Sequence, residues 1–203
     1  ILFFSFNILD KKMKANFRII FLGDIALNDM SIEIANNDFN KIKKRLSIYN
    51  PDLIICNLES PLESENGKVN FEKNPRLKTS KKFLELIKGI GIDIVILGNN
   101  HIYDCLENGL EETLSYLDNM EIGSVGVNYK NSKSCKVFKK GGWNINIDAR
   151  VSRYTNPCIE NNSKDVTLDY IEDYKAIQTH QEERFINIMS LHWGIEFSGY
   201  PTP

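Results

Sequence analysis

The sequence predicts an α/β fold whose central strands are covered on both faces. Three observations carry that prediction. Short β-branched apolar runs alternate with segments of helical apolar spacing, in the order β-α-β-α-β-α-β. The apolar runs are near-continuous, as in strands buried on both sides. The composition, 42% hydrophobic and 26% charged over 203 residues, is that of one globular domain, long enough to bury a core without disulfides.

The elements follow in order. "FRIIFL" (17–22) is the first strand, and 38–49 form a helix with Phe39, Ile42, Leu46 and Tyr49 on one face. "DLIIC" (52–56) is a second strand, introduced by Pro51. Residues 58–78 are a polar loop, and a loop of that length inside a domain is usually functional or disordered. Residues 80–91 form a helix with Ser80 as N-cap and Gly89 or Gly91 as its stop. "IDIVIL" (92–97) is the third strand; 106–120 form an amphipathic helix with Leu106, Leu110, Leu114 and Leu117 on one side; 124–127 form a short strand. Residues 134–148 read as a hairpin turning at Gly141-Gly142, 149–166 as irregular, 167–182 as helix and 184–194 as a last apolar strand.

Residues 1–12 read as a non-native or disordered extension with Met13 as the natural start, leaving 13–203 as a single domain. The opening "ILFFSFNIL" is too short to span a bilayer and lacks the basic lead and small-residue cleavage site of a signal peptide. The net charge of −2, without a basic stripe, argues against a nucleic-acid partner. Cys56, Cys105, Cys135 and Cys158 include no CxxC pair, so a structural zinc site is not expected. Scattered thiols point to a reduced, cytoplasmic protein. The alternative is a membrane-associated or extracytoplasmic chain whose N-terminal anchor has been removed.

Chemistry-bearing residues gather where the apolar runs stop. The first run ends in Gly23-Asp24, the second in Asn57 and Glu59, the third in "GNNH" (98–101), and the last in His192. In α/β sheets ligands bind beyond the carboxyl ends of the strands. Asp24, Glu59, Asn100, His101 and His192 are therefore expected to converge. Carboxylate, amide and imidazole donors without thiolate suit Mn, Fe, Zn or Mg. A pair of such cations about 4 Å apart activates water for in-line attack on phosphorus. A histidine that is not a ligand can protonate the leaving oxygen. Asp104 either orients His101 or caps the helix starting near 106. His180 reads as a surface residue.

The motifs "GDIAL", "NLESPL", "GNNHIYD" and "LHWGIEFSGYPTP", in this order, resemble the bacterial poly-γ-glutamate capsule-biosynthesis (CapA-type) family of the calcineurin-like metallophosphoesterase superfamily. The resemblance runs from about Arg18 to the C-terminus and is thinnest over about 140–180. It implies a metallophosphoesterase-like β-sandwich flanked by helices. It puts Asp24, Glu59, Asn100 and His192 on metal-ligand positions, for one or two Mn, Fe or Zn ions. His101 falls on the position of the catalytic histidine, and Glu196 lies near the site. Two departures stand out. The superfamily's first-strand Asp-x-His is here Asp24-x-Ala26, as is usual for the capsule family. The family pattern also continues past "YPTP" into a His-rich loop, so the fold is expected to be incomplete at the C-terminus, with an incomplete site.

In the polar loop, Lys68, Lys73, Arg76 and Lys78 are candidates for gripping an anion, with Lys73 and Arg76 as the substrate-binding pair. The function expected first is a metal-dependent hydrolase linked to poly-γ-glutamate capsule or surface-polysaccharide biosynthesis. Its substrate would be a phosphoester or a polyglutamate-like polymer, and its partners other capsule-synthesis proteins. The alternative is a non-catalytic accessory that holds the anionic chain, with membrane contact only through partners or a lost anchor. A doubly wound nucleotide-binding domain is disfavoured, because "GDIALNDMS" has one glycine and no glycine-rich turn.

Overall fold

The computed structural model describes residues 4–10, 15–26, 32–64, 67–155, 163, 165–173 and 183–194. Its elements are β1 (Phe4–Asp10), β2 (Ala15–Ile25), α1 (Ile32–Ser47), β3 (Leu53–Leu58), α2 (Lys81–Ile90), β4 (Ile94–Ile96), α3 (Leu106–Asn119), β5 (Gly123–Val125), β6 (Cys135–Lys140), β7 (Trp143–Val151) and β8 (Phe185–His192). They build a five-stranded sheet, β1-β2-β3-β4-β5, and a three-stranded sheet, β6-β7-β8. β2 through β5 are mutually parallel, and β1, from the stretch set apart above as an extension, pairs antiparallel with β2 at the edge. β6 and β7 form the hairpin expected around Gly141-Gly142, and β8 adds parallel to β7.

The period-2 geometry of the strands explains why two layers cover the large sheet. One set of alternating residues (Ile20, Leu22, Ile54, Cys56, Val95, Leu97) packs with Leu46 of α1, Phe83, Leu84 and Ile87 of α2, and Leu110 and Leu117 of α3. The other set (Ile19, Leu53, Ile55, Ile94, Ile96, Val125) packs against Trp143, Ile145, Ile147 and Ala149 of the second sheet. The α/β expectation and the sandwich flanked by helices are both met. Side chains such as Ile55 and Val95 are fully enclosed, each worth ~1.5–3 kcal/mol relative to exposure.

Local signals are met in part. Gly91 ends α2 in the left-handed conformation, φ 95°. Ser80 sits at the N-cap of α2 in extended geometry, but its hydroxyl makes no cap bond. The helix expected over 167–182 is not formed in its described part. Residues 167–173 are irregular, with isolated bridges from Thr167 to Asn128 and from Tyr170 to Val151. The reason is legible in the burial: Val166, Leu168 and Tyr170 alternate into the core at strand period, and that packing outweighs helical propensity. Residues 174–182 lie outside the described residues. Among the described residues no helix is long and apolar enough to cross a membrane.

Cys56 and Cys105 are free and buried, whereas Cys135 is free and exposed. Burial, and then the nearby Asp24 charge, push the Cys56 thiol up, and burial first of all pushes Cys105 up to about 12. Both therefore stay protonated and unreactive near neutrality. A maleimide at pH 7.5 is expected to modify Cys135 in the native protein and to reach Cys56 and Cys105 only after denaturation, read by peptide mass spectrometry. Native labelling of Cys56 would contradict its place in the core.

Candidate functional site

The carboxyl ends of β2, β3 and β4 meet the end of β8 at one edge of the sandwich. β2 reaches it through a bulge. The β2–β3 register shifts between Phe21 and Asp24, and Gly23 in the shift has φ +71°, which side-chain-bearing residues rarely adopt. The extra residue sets Asp24 opposite Asn57 on β3. β4 gives way to the Gly98-Asn99-Asn100-His101 turn, where the backbone passes very close to Gly126. A Cβ on Gly126 would stand 2.2 Å from the Gly98 nitrogen. β8 brings in His192 through its register with Val151, and the Ser152 N–H closes on the His192 carbonyl at 2.9 Å.

A chain of side-chain amides ties these ends together. Asn57 Nδ2 donates to Asp24 Oδ1 at 2.8 Å and lies 3.4 Å from His192 Nδ1. Asn99 Nδ2 donates to Asn57 Oδ1 at 3.0 Å and to the Leu58 carbonyl at 2.9 Å. Asn99 Oδ1 accepts the His101 N–H at 3.0 Å. Asn57, Asn99 and Asn100 are all buried, and a buried amide left unpaired costs ~1–3 kcal/mol. Sequence reasoning noted Asn57 and Asn99 at the strand ends but assigned them no role. Asn99, beside Gly98, reads first as a turn former, and only the cross-strand register shows it and Asn57 as braces.

Four sequence-predicted residues come together. Asp24, Glu59 and His192 each offer one ligand atom, all within 4.8 Å of one another. His192 Nε2 is 3.7 Å from Glu59 Oε1 and 2.9 Å from Asn100 Oδ1. Two carboxylates, an amide oxygen and an imidazole, partly open to solvent, match the donors preferred by a hard or borderline divalent cation.

His101 stands beside this cluster, buried, with Nδ1 donating to Asp104 Oδ2 at 2.7 Å. The same Asp104 oxygen accepts the Leu77 N–H at 2.7 Å, and the Asp104 carbonyl accepts the Asn70 N–H at 2.8 Å. Asp104 therefore both orients His101 and anchors the polar loop. Within that loop, Lys73 is buried with its ammonium 3.4 Å from the Thr155 carbonyl. Arg76 is exposed and lies over the Phe71 ring, 5.6 Å from its centroid. Lys78 pairs with Glu63 at 2.7 Å. Ala26 is exposed and offers no ligand. Glu196 and His180 lie outside the described residues.

Comparison with known proteins agrees with the motif order. The family described as bacterial capsule synthesis protein PGA_cap matches residues 18–203. The chain is 23% identical over 197 residues to the capsule biosynthesis protein CapA of Bacillus anthracis, an alignment covering 90% of this chain and 47% of that protein. It thus spans about half the length of the curated relative it matches. Among solved structures, a Staphylococcus aureus protein assigned as a 5′-nucleotidase, crystallised with α-ketoglutarate, aligns with TM-score 0.48 and 14% identity, over 90% of this chain and 39% of that one. A 5′-nucleotidase precursor from Thermus thermophilus aligns with TM-score 0.39 and 14% identity, over 63% and 24%. Both overlaps are partial and weak.

Replacing Asn57 with Leu removes the brace while keeping the volume similar. Urea unfolding is expected to show a loss of ~2 kcal/mol, since the strand-end amide and carboxylate lose a partner. An unchanged midpoint would mean that Asn57 carries no share of the architecture.

Proposed function

The chain belongs to the bacterial capsule synthesis protein family, and from that premise we propose that it is a metallophosphoesterase-type, metal-dependent hydrolase acting in capsule or surface-polymer biosynthesis. The observation that carries the reading is the approach of Asp24, Glu59 and His192 ligand atoms to within 4.8 Å of one another at the strand ends. Asp24, Glu59, Asn100 and His192 would hold one or two Mn, Fe or Zn ions. Bound there, such an ion would activate water and polarise a phosphoryl or acyl oxygen.

The remaining steps belong to the chain's own groups. Asn57 holds the Asp24 carboxylate in position. Asp104 fixes the Nδ1–H tautomer of His101, leaving Nε2 to stabilise developing charge or, when protonated, to pass a proton to the leaving oxygen. Arg76, exposed on the polar loop, is proposed to attract the anionic substrate, a phosphoester or a γ-linked glutamate polymer, whereas Lys73 is buried against the Thr155 carbonyl. Other capsule-synthesis proteins are the proposed partners, with membrane contact arising through them or through an anchor outside this chain.

A second reading has its own observation. The position two residues after Asp24 is an exposed alanine rather than an imidazole, which leaves any second ion poorly held. A cleft of this kind suits an accessory that grips an anionic polymer without cleaving it.

Metal content by mass spectrometry and hydrolysis of a chromogenic phosphodiester separate the two. The hydrolase reading expects about one to two metals per chain, lost in Asp24→Ala and His192→Ala. It also expects His101→Asn to keep the metal while turnover falls about 10²–10⁴-fold. Bound metal without turnover in the wild type would favour the accessory. A metal-free protein grown with manganese, iron and zinc would overturn the metal site itself.

A further inference from the structure

Three aromatic side chains face water at the edge that carries the metal cluster: Phe71, Tyr154 and Trp193, 87%, 71% and 55% exposed. They stand on segments that hydrogen bonds join into one rim. Phe71 follows Asn70, whose N–H rests on the Asp104 carbonyl at 2.8 Å. Two residues on, the Lys73 ammonium reaches the carbonyl of Thr155 at 3.4 Å, next to Tyr154. The Ser152 N–H meets the His192 carbonyl at 2.9 Å, and Trp193 follows His192 directly. The polar loop, the short turn Arg153–Thr155 and the end of β8 are thus linked in series, and each carries one exposed ring. Apolar residues exposed singly are ordinary, whereas several on one rim beside a polar cluster mark a contact surface.

The charges on this rim decide what it fits. Lys73 is buried and Lys78 is paired with Glu63 at 2.7 Å. That leaves Arg76, with Lys68 earlier in the loop and the exposed Glu72 between them. The Arg76 guanidinium lies over the Phe71 ring, 5.6 Å from its centroid, and has no carboxylate partner among the described residues. A γ-linked glutamate chain offers no ring to stack on and needs a row of cations, which this rim lacks. Aromatic faces carry the negative lobe of the ring quadrupole, and the C–H faces of pyranose rings meet them with partial positive charge. A planar guanidinium forks onto carboxylate or phosphate. Rings on three segments with a free guanidinium among them fit a chain that repeats both a sugar ring and an acidic group.

We infer that the rim selects an anionic glycan, a chain of pyranose rings bearing carboxylate or phosphate groups. Phe71, Tyr154 and Trp193 stack on its rings, and Arg76 holds an acidic group. The inference rests on the reading of the cluster given above for what is then done to the chain, and it narrows the substrate class from polyglutamate to polysaccharide. None of the four rim residues is a metal ligand, so binding at the rim does not require the ion.

The test is calorimetric titration of the full chain with a galacturonic-acid hexamer and, at the same ionic strength, with a γ-linked glutamate hexamer of similar charge. Acrylamide quenching reports on Trp193, because the other tryptophan, Trp143, is buried. The galacturonate hexamer is expected to bind saturably, about tenfold or more tighter than the glutamate hexamer, and to shield Trp193. Phe71→Ala, Tyr154→Ala and Trp193→Ala each weaken it about threefold to tenfold, the range of a single aromatic contact, while Tyr154→Phe and Trp193→Phe keep most of the affinity. All three side chains are exposed, so Tm is expected to hold in these variants, which sets a lost contact apart from a lost fold. Equal or tighter binding of the glutamate hexamer, alanine variants that bind like the wild type, or a bound hexamer that leaves Trp193 open to acrylamide would overturn the inference. Tighter binding of adenosine monophosphate would overturn it too, by giving the platform to a nucleobase. Asp24→Ala is expected to lose metal and keep the glycan. A protein that holds metal but not the hexamer removes this inference and leaves the hydrolase reading standing; one that holds the hexamer without metal does the reverse.

Discussion

The amide of Asn57 is the contact on which the site's geometry depends. It sits on a central strand, donates to the Asp24 carboxylate on one neighbour, and accepts from Asn99 at the end of the other. Asn99 in turn holds the backbone of His101. Parallel strands bring their polar ends to one edge but do not fix how far apart they lie. In the interior, where an unmatched amide is costly, this sequence of hydrogen bonds sets that spacing. The Gly23 bulge and the close pass of Gly98 by Gly126 are the backbone conditions that allow it. His192 arrives from the second sheet, so the cluster also depends on the apolar layer that Ile55, Ile94 and Ile96 share with Ile145 and Ile147.

Much of this was legible in the sequence because strand ends in an α/β fold are a physical address. Apolar runs terminating in Asp24, Asn57, Asn99 and His192 could be recognised without knowing how the strands were ordered. Burial on both faces was legible too, from the absence of polar alternation. Which layer covers which face was not, because a strand buried by helices and one buried by a second sheet have the same composition. The stretch from 167 misled for a related reason: Val166, Leu168 and Tyr170 at period two compete with a helical pattern in a short, polar segment, and only the core settles the choice. Asn57 and Asn99 were visible as residues but not as braces, since cross-strand register is a tertiary property.

The loop between β3 and α2 connects the site to its surroundings. Asp104 receives His101 and Leu77 on one carboxylate oxygen, so the orientation of the histidine and the seating of the loop are a single arrangement. The loop's basic residues do not all face the cluster. Lys73 is sequestered against Thr155 and Arg76 leans on Phe71.

Anomalous diffraction from crystals grown with manganese tests directly the proposal that the strand-end cluster holds a divalent cation. A single strong peak, or a close pair, is expected within coordination distance, about 2 Å, of ligand atoms from Asp24, Glu59 and His192. Ordered crystals in which those side chains are resolved and the manganese lies elsewhere, or nowhere, would contradict it.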